Sequence, residues 1–159
     1  MLADFTASLR LFFENIVFLS SFLSLCIAQL LKGLIFVFGG RARRPGEIAR
    51  IIACRTGGMP SSHSAVVCSL SASIAFSEGL TSNIFVFSLW FALVVLRDAV
   101  GVRRSAGLLA RALNGLGRAA SEKLGIDFHL VKEVQGHTPL EVVVGALLGI
   151  FISAALFLL

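Results

Sequence analysis

Long apolar runs alternate with short polar stretches along this chain. The first run, Ile16–Phe38, closes at Gly39-Gly40. A hydrocarbon layer about 30 Å thick takes roughly 20 apolar residues as a helix, so this run predicts a membrane span. A secretory signal is the competing reading of an N-terminal run. The run is too long for that, Asp4 and Glu14 precede it, and no A-x-A site follows. A second run over 62–77 is short and rich in small residues: Ser64, Cys68, Ser71, Ala72 and Ala75. Small residues let helix backbones approach closely, which predicts a helix inside the bundle. A third run over 84–100 carries Trp90 and several Phe residues, as a lipid-facing helix would. A fourth, over 139–159, contains Gly145-Ala-Leu-Leu-Gly149, a GxxxG face that packs either within the fold or against a second copy of the chain.

The stretch 101–136 is not apolar enough to cross. Val102, Ala106, Leu109, Leu113 and Leu116 recur at helical spacing, and Arg104, Arg111 and Arg118 stand seven apart on one face. This predicts an amphipathic helix in the membrane interface, its arginines reaching toward headgroups.

Composition supports a membrane reading. Of 159 residues, 57% are hydrophobic and 14% charged, against about 25% charged in ordinary soluble domains. Mean hydropathy is +0.91. The expectation is one domain over 1–159, an all-α integral membrane bundle of about four transmembrane helices plus the interfacial helix. Cys26, Cys54 and Cys68 show no paired or metal-type spacing; Cys26 and Cys68, in apolar runs, read as small packing residues. The net charge of +5 reports topology and anionic lipid rather than nucleic acid, for which no motif is present. Basic residues crowd into 41–61 and 97–132, while the 78–83 turn has none. The positive-inside rule puts the crowded side in the cytoplasm.

Polar and ionisable residues near spans are functional candidates. Four groups should meet at the basic side: Gln29 with Lys32; 56–64, which includes Gly57, Gly58, Ser61, Ser62 and His63; Asp98 with Arg103 and Arg104; and His137 with Glu141. Arginines and a lysine suit a phosphate dianion. Free N–H groups and hydroxyls at Ser61 and Ser62 offer an anion seat at a helix start, and Gly57-Gly58 lets the backbone come close. One imidazole can attack phosphorus while another protonates the leaving oxygen. Glu141, four residues after His137, sits at the helical offset that orients it. A metal held by Asp98 and Glu141 would compete with the surrounding arginines. A serine hydrolase lacks its GxSxG elbow. No metal or other cofactor is expected.

Pro60-Ser61-Ser62-His63 resembles the P-S-G-H motif of the type 2 phosphatidic acid phosphatase (PAP2) superfamily. His137-Thr-Pro-Leu-Glu141, with its glycine-bearing helix, resembles the superfamily's third motif. Ala28-Gln29 with Lys32, Thr56 to Ser64, Asp98 to Arg104 and Gly136 to Val142, in this order, are similar to the divergent PAP2 family of small membrane proteins. The likeness covers about residues 20–159. It implies a metal-free phosphohydrolase with His137 as nucleophile, through a phosphohistidine, and His63 as general acid. Glu141 would stand for the orienting aspartate, Lys32 for the first-motif lysine, and Ser61 and Ser62 for phosphate ligands. The chain departs from the pattern at Ser62, where glycine is usual, and at Val131, where the third-motif arginine belongs. Arg103 and Arg104 are the substitutes at hand.

The resulting expectation is a lipid phosphatase acting on a phosphate monoester or diphosphate such as phosphatidate, phosphatidylglycerol phosphate or a prenyl diphosphate. A catalytically silent phospholipid-binding or assembly protein of the same fold is the alternative.

Overall fold

The computed structural model describes residues 2–39, 58–133 and 136–159. The regular elements among them are all helices: α1 (Leu2–Glu14), α2 (Ile16–Phe38), α3 (Ser62–Glu78), α4 (Asn83–Val100), α5 (Val102–Leu124) and α6 (Pro139–Leu158). Small polar side chains start most of them. Asn15 Oδ1 accepts from the N–H groups of Val17 and Phe18, and Ser82 Oγ accepts from Phe85 N–H. Each bond satisfies a donor that the first helical turn leaves open.

Three stretches are long and apolar enough to cross a membrane: Ile16–Phe38, Asn83–Leu124, in which α4 continues into α5, and Pro139–Leu158. The expected fourth, α3, has 17 residues, about 25 Å of helix at 1.5 Å per residue. It is the hub of the bundle, packing against α2, α4 and α6. Short as it is, α3 runs alongside α6 for most of that helix, as the contacts below require.

The bundle inverts the usual inside and outside. Its largest fully buried side chains are all serines: Ser20, Ser24, Ser61, Ser64, Ser69, Ser73 and Ser153. Bulky apolar residues such as Phe87, Trp90 and Val94 face outward. In lipid, apolar surface gains nothing by leaving the solvent, so close backbone packing and hydrogen bonds between helices hold the bundle instead.

The α3–α6 seam shows how. A Cβ on Gly145 would run into the Ser61 carbonyl, and one on Gly149 into the Ala65 carbonyl. One turn further, Ser69 Oγ meets Ser153 Oγ at 2.8 Å, and Ser153 Oγ donates to the Ser69 carbonyl at 2.9 Å. At the far end, the rings of Phe76 and Phe157 lie 5.2 Å apart. The two helices are therefore parallel, with neighbouring N-termini. Of the two alternatives for the Gly145/Gly149 face, packing within the fold or against a second copy, the structure shows the first: it is filled by α3 of the same chain. Both glycines are buried because the backbones touch there.

The other helices bring their ends to the same place. α4 runs antiparallel to α3, with Ser88 Oγ 3.3 Å from Ser71 Oγ, so its C-terminus lies beside the start of α3. The Ala99 carbonyl there accepts from His137 N–H at 3.3 Å. Lys32, near the end of α2, passes under Gly58.

α5 leaves this end as an arm, packing against no other described helix than α4. Gly125, in the left-handed region at φ 65°, turns the chain back. Residues 125–133 then return along α5. Asn114, buried in mid-helix, donates from Nδ2 to the Val131 carbonyl at 2.9 Å and to Glu133 Oε1 at 3.0 Å, and its Oδ1 accepts from Val131 N–H at 2.8 Å. The Phe128 ring covers Gly117, and Gly136 lies on the backbone of Arg104. The expected amphipathic helix is present at Val102–Leu124; the irregular segment that returns along it was not expected.

Candidate active site

α6 begins with a capping box. Thr138 Oγ1 accepts from Glu141 N–H, while Glu141 Oε2 accepts from Thr138 N–H at 3.1 Å. The same Oε2 lies 3.0 Å from Nδ1 of His137. One carboxylate thus closes the helix and holds the imidazole. His137 is 5% exposed, fixed on its backbone side by Ala99 and on its ring by Glu141. A carboxylate at Nδ1 favours a proton on that nitrogen and leaves the lone pair on Nε2.

α3 supplies the second imidazole. Ser61 caps this helix, its Oγ accepting from Ser64 N–H at 3.4 Å and from Ser64 Oγ at 2.8 Å. Ser61 N–H donates to the Glu141 carbonyl at 3.0 Å. That bond ties the heads of α3 and α6 directly, so His63 and His137 are carried by two joined helix starts. His63 is exposed whereas Ser61 and Ser62 are buried. His137, Lys32, Arg103 and Asp98 all lie within electrostatic reach of His63.

The cations around this centre are held in different ways. Lys32 is 4% exposed, its stem against Gly58. Arg103 Nε donates to Asp98 Oδ2 at 2.7 Å, both groups partly open to solvent. Arg104 is exposed, and its backbone supports Gly136. Gln29 comes to the same end of α2 with its Oε1 buried and without a hydrogen-bond partner among the described residues. Gly57 lies outside the described residues. Among the described residues no group of three His, Cys, Asp or Glu side chains is arranged to hold a metal ion.

The described members of all four sequence groups therefore reach one end of the bundle. Two contributors were not anticipated. Thr138 completes the T-x-x-E capping signature, which is legible in Thr138-Pro-Leu-Glu141. The Ala99 carbonyl, a backbone group, left no signal in the sequence.

The arrangement brings a buried, carboxylate-oriented imidazole and an exposed one to two joined helix starts, with Lys32 and Arg103 within electrostatic reach of His63. It suits an anion with several oxygens at a membrane face. The Divergent PAP2 family matches residues 13–152. A relative from Bacillus subtilis (strain 168), described as uncharacterized membrane protein YuiD, is 35% identical over 161 residues, spanning 89% of this chain and 94% of that protein. No solved structure matches the chain.

Proposed function

Because the chain belongs to the divergent PAP2 family, we propose that it is a metal-independent lipid phosphatase whose site faces the cytoplasmic leaflet. The observation carrying this reading is the contact of Glu141 Oε2 with His137 Nδ1 at 3.0 Å, with the same oxygen fastened to the helix cap. It gives one imidazole a fixed direction and a free Nε2.

In this mechanism His137 Nε2 attacks phosphorus and the P–O bond to the lipid breaks. His63 gives its proton to the departing oxygen. His137 carries the phosphoryl group with a positive ring, which the Glu141 carboxylate stabilises. Water then attacks phosphorus, His63 takes the water's proton, the P–N bond breaks, and inorganic phosphate leaves. The exposure of His63 suits a group that meets water, and the burial of His137 suits one that must not lose its phosphoryl group early. Lys32, Arg103 and Ser62 surround the phosphate oxygens. Ser61, expected to offer a free N–H and hydroxyl, is fully buried with its N–H on the Glu141 carbonyl and its Oγ capping α3, and so holds the two helix heads together instead. Substrates are phosphate monoesters or diphosphates on an apolar chain: phosphatidate, phosphatidylglycerol phosphate or prenyl diphosphates. The basic residues at this end support the cytoplasmic assignment.

One observation favours a second reading. Arg103 is already paired with Asp98, and Val131 occupies the position where the superfamily has an arginine. A cage whose Arg103 is engaged by a carboxylate suits a phospholipid-binding protein that does not turn over.

Phosphate release from lipid phosphates in chelator separates the two. Wild type should release phosphate, with His137→Ala and His63→Ala each lower by about 10²-fold or more. Unchanged turnover in His137→Ala rejects the nucleophile. Binding of lipid phosphate with no release by wild type establishes the second reading.

A further inference from the structure

Outside the site, the largest unexplained feature is the arm formed by α5 and the return segment 125–133. Three faces of α5 have distinct characters. Ala110, Asn114 and Gly117 are buried under the return segment. Leu109, Leu113 and Leu116 are 70%, 48% and 71% exposed, and they share a stripe with Val102. Arg104, Arg111 and Arg118 lie on the opposite side of the helix at 3.6 residues per turn. The return segment adds exposed Ile126, Leu130 and Val131. Water would not tolerate so large an apolar face on an isolated arm without a partner.

Position and charge identify that partner. The arm departs from α4 at Gly101 and rejoins α6 at Gly136, so both its ends are fixed at one end of the bundle. That end is a membrane–water boundary if α4 and α6 cross. Between 101 and 133 the chain has six basic and three acidic residues. An apolar stripe opposed by arginines at that depth fits a lipid surface whose headgroups are negative. We propose that the arm lies in the headgroup layer of an anionic leaflet, with the leucine stripe turned into the acyl region and the arginines toward phosphate groups. The proposal stands whether or not the site is catalytic.

The test uses the full chain in nanodiscs, with Trp90→Phe removing the native tryptophan. Leu113→Trp, Leu116→Trp and Glu122→Trp then place single reporters on exposed positions. With an anionic lipid present, the tryptophans of Leu113→Trp and Leu116→Trp should be quenched by brominated acyl chains and shielded from iodide. The Glu122→Trp reporter should behave oppositely. In purely zwitterionic discs the contrast should weaken. Each basic residue near an anionic surface contributes about fivefold in partitioning, so Arg111→Gln with Arg118→Gln should reduce the anionic dependence. Leucine-face reporters open to iodide would overturn the proposal. So would reporters shielded from both quenchers, the sign of a second copy of the chain on that face, and so would equal quenching in both lipids.

Discussion

The α3–α6 seam makes a quantitative prediction about one methyl group. In Gly149→Ala the new Cβ meets the Ala65 carbonyl oxygen, with the Ala65 carbonyl carbon at 2.9 Å and Ser69 nitrogen at 3.0 Å. All three are backbone atoms of α3 and cannot swing aside, so the helices must separate. Overpacking of this kind costs about 1–3 kcal/mol. Separation also stretches the two hydrogen bonds linking Ser69 and Ser153, each worth about 1 kcal/mol. Alanine's better helix propensity returns about 1 kcal/mol. The net expectation is a loss of roughly 2 kcal/mol, from these terms together. Gly115→Ala is the internal control. Its Cβ meets nothing within 4 Å, so only the propensity gain of about 1 kcal/mol remains. Unfolding of the full chain by SDS titration from mild-detergent micelles measures both. Gly149→Ala should unfold earlier than wild type and Gly115→Ala later. If the two alanines shift stability equally, or Gly149→Ala stabilises, the close-contact account of the seam is wrong.

Three further outcomes follow from other contacts. Asn114→Ala removes three hydrogen bonds and leaves the Val131 N–H and C=O unpaired; the Val131 amide should then exchange with deuterium about tenfold faster or more, by the usual worth of one such bond, while amides in α3 keep their protection. Glu141→Gln keeps an oxygen for the helix cap but loses the charge beside His137, which should lower phosphate release by about tenfold, the difference between a charge-assisted and a neutral hydrogen bond; an unaltered rate would show that the carboxylate does not act on the ring. The Asn114 hydrogen bond, aided by Arg111, holds the Glu133 carboxyl below its ordinary 4.5. A depressed acid adds stability that is fully present above its unfolded value and fades as pH falls through the folded one. Protection of the return segment should therefore decline on acidification below 4.5, and Glu133→Gln should flatten that decline.

How much could be read from the sequence depends on what each residue contacts. Spans showed themselves because lipid selects composition: the run Ile16–Phe38 coincides with α2, and 84–100 and 139–159 fall within a residue of α4 and α6. The serine-rich run at 62–77 announced a buried helix, since only small side chains permit the approach seen at Gly145 and Gly149. What the GxxxG pattern packed against was not legible, because an α3 partner and a second copy demand the same glycines. α1 escaped notice, being short and packing, among the described helices, against α2 alone. Convergence of Lys32, His63, Asp98, Arg103 and His137 was readable from the parity of the spans, whereas the pairing of Arg103 with Asp98 within it depended on rotamers. The return segment stayed hidden because Asn114 binds a backbone, and backbone groups are alike at every residue. Its one trace was a lone amide between Ala110 and Gly117 on an otherwise bland face.

The meeting of Gly136 with Arg104 and of His137 with Ala99 makes the intervening stretch a closed excursion, leaving and regaining the bundle at one point. Closing a loop costs only slowly more as the loop grows. Beyond Arg104 the excursion is thus a cassette: it can be lengthened or trimmed between there and Gly136 with the two imidazole-bearing helix heads, and Arg103 on Asp98, left in place. Evolution, or an engineer, can retune what it touches without rebuilding what it encloses.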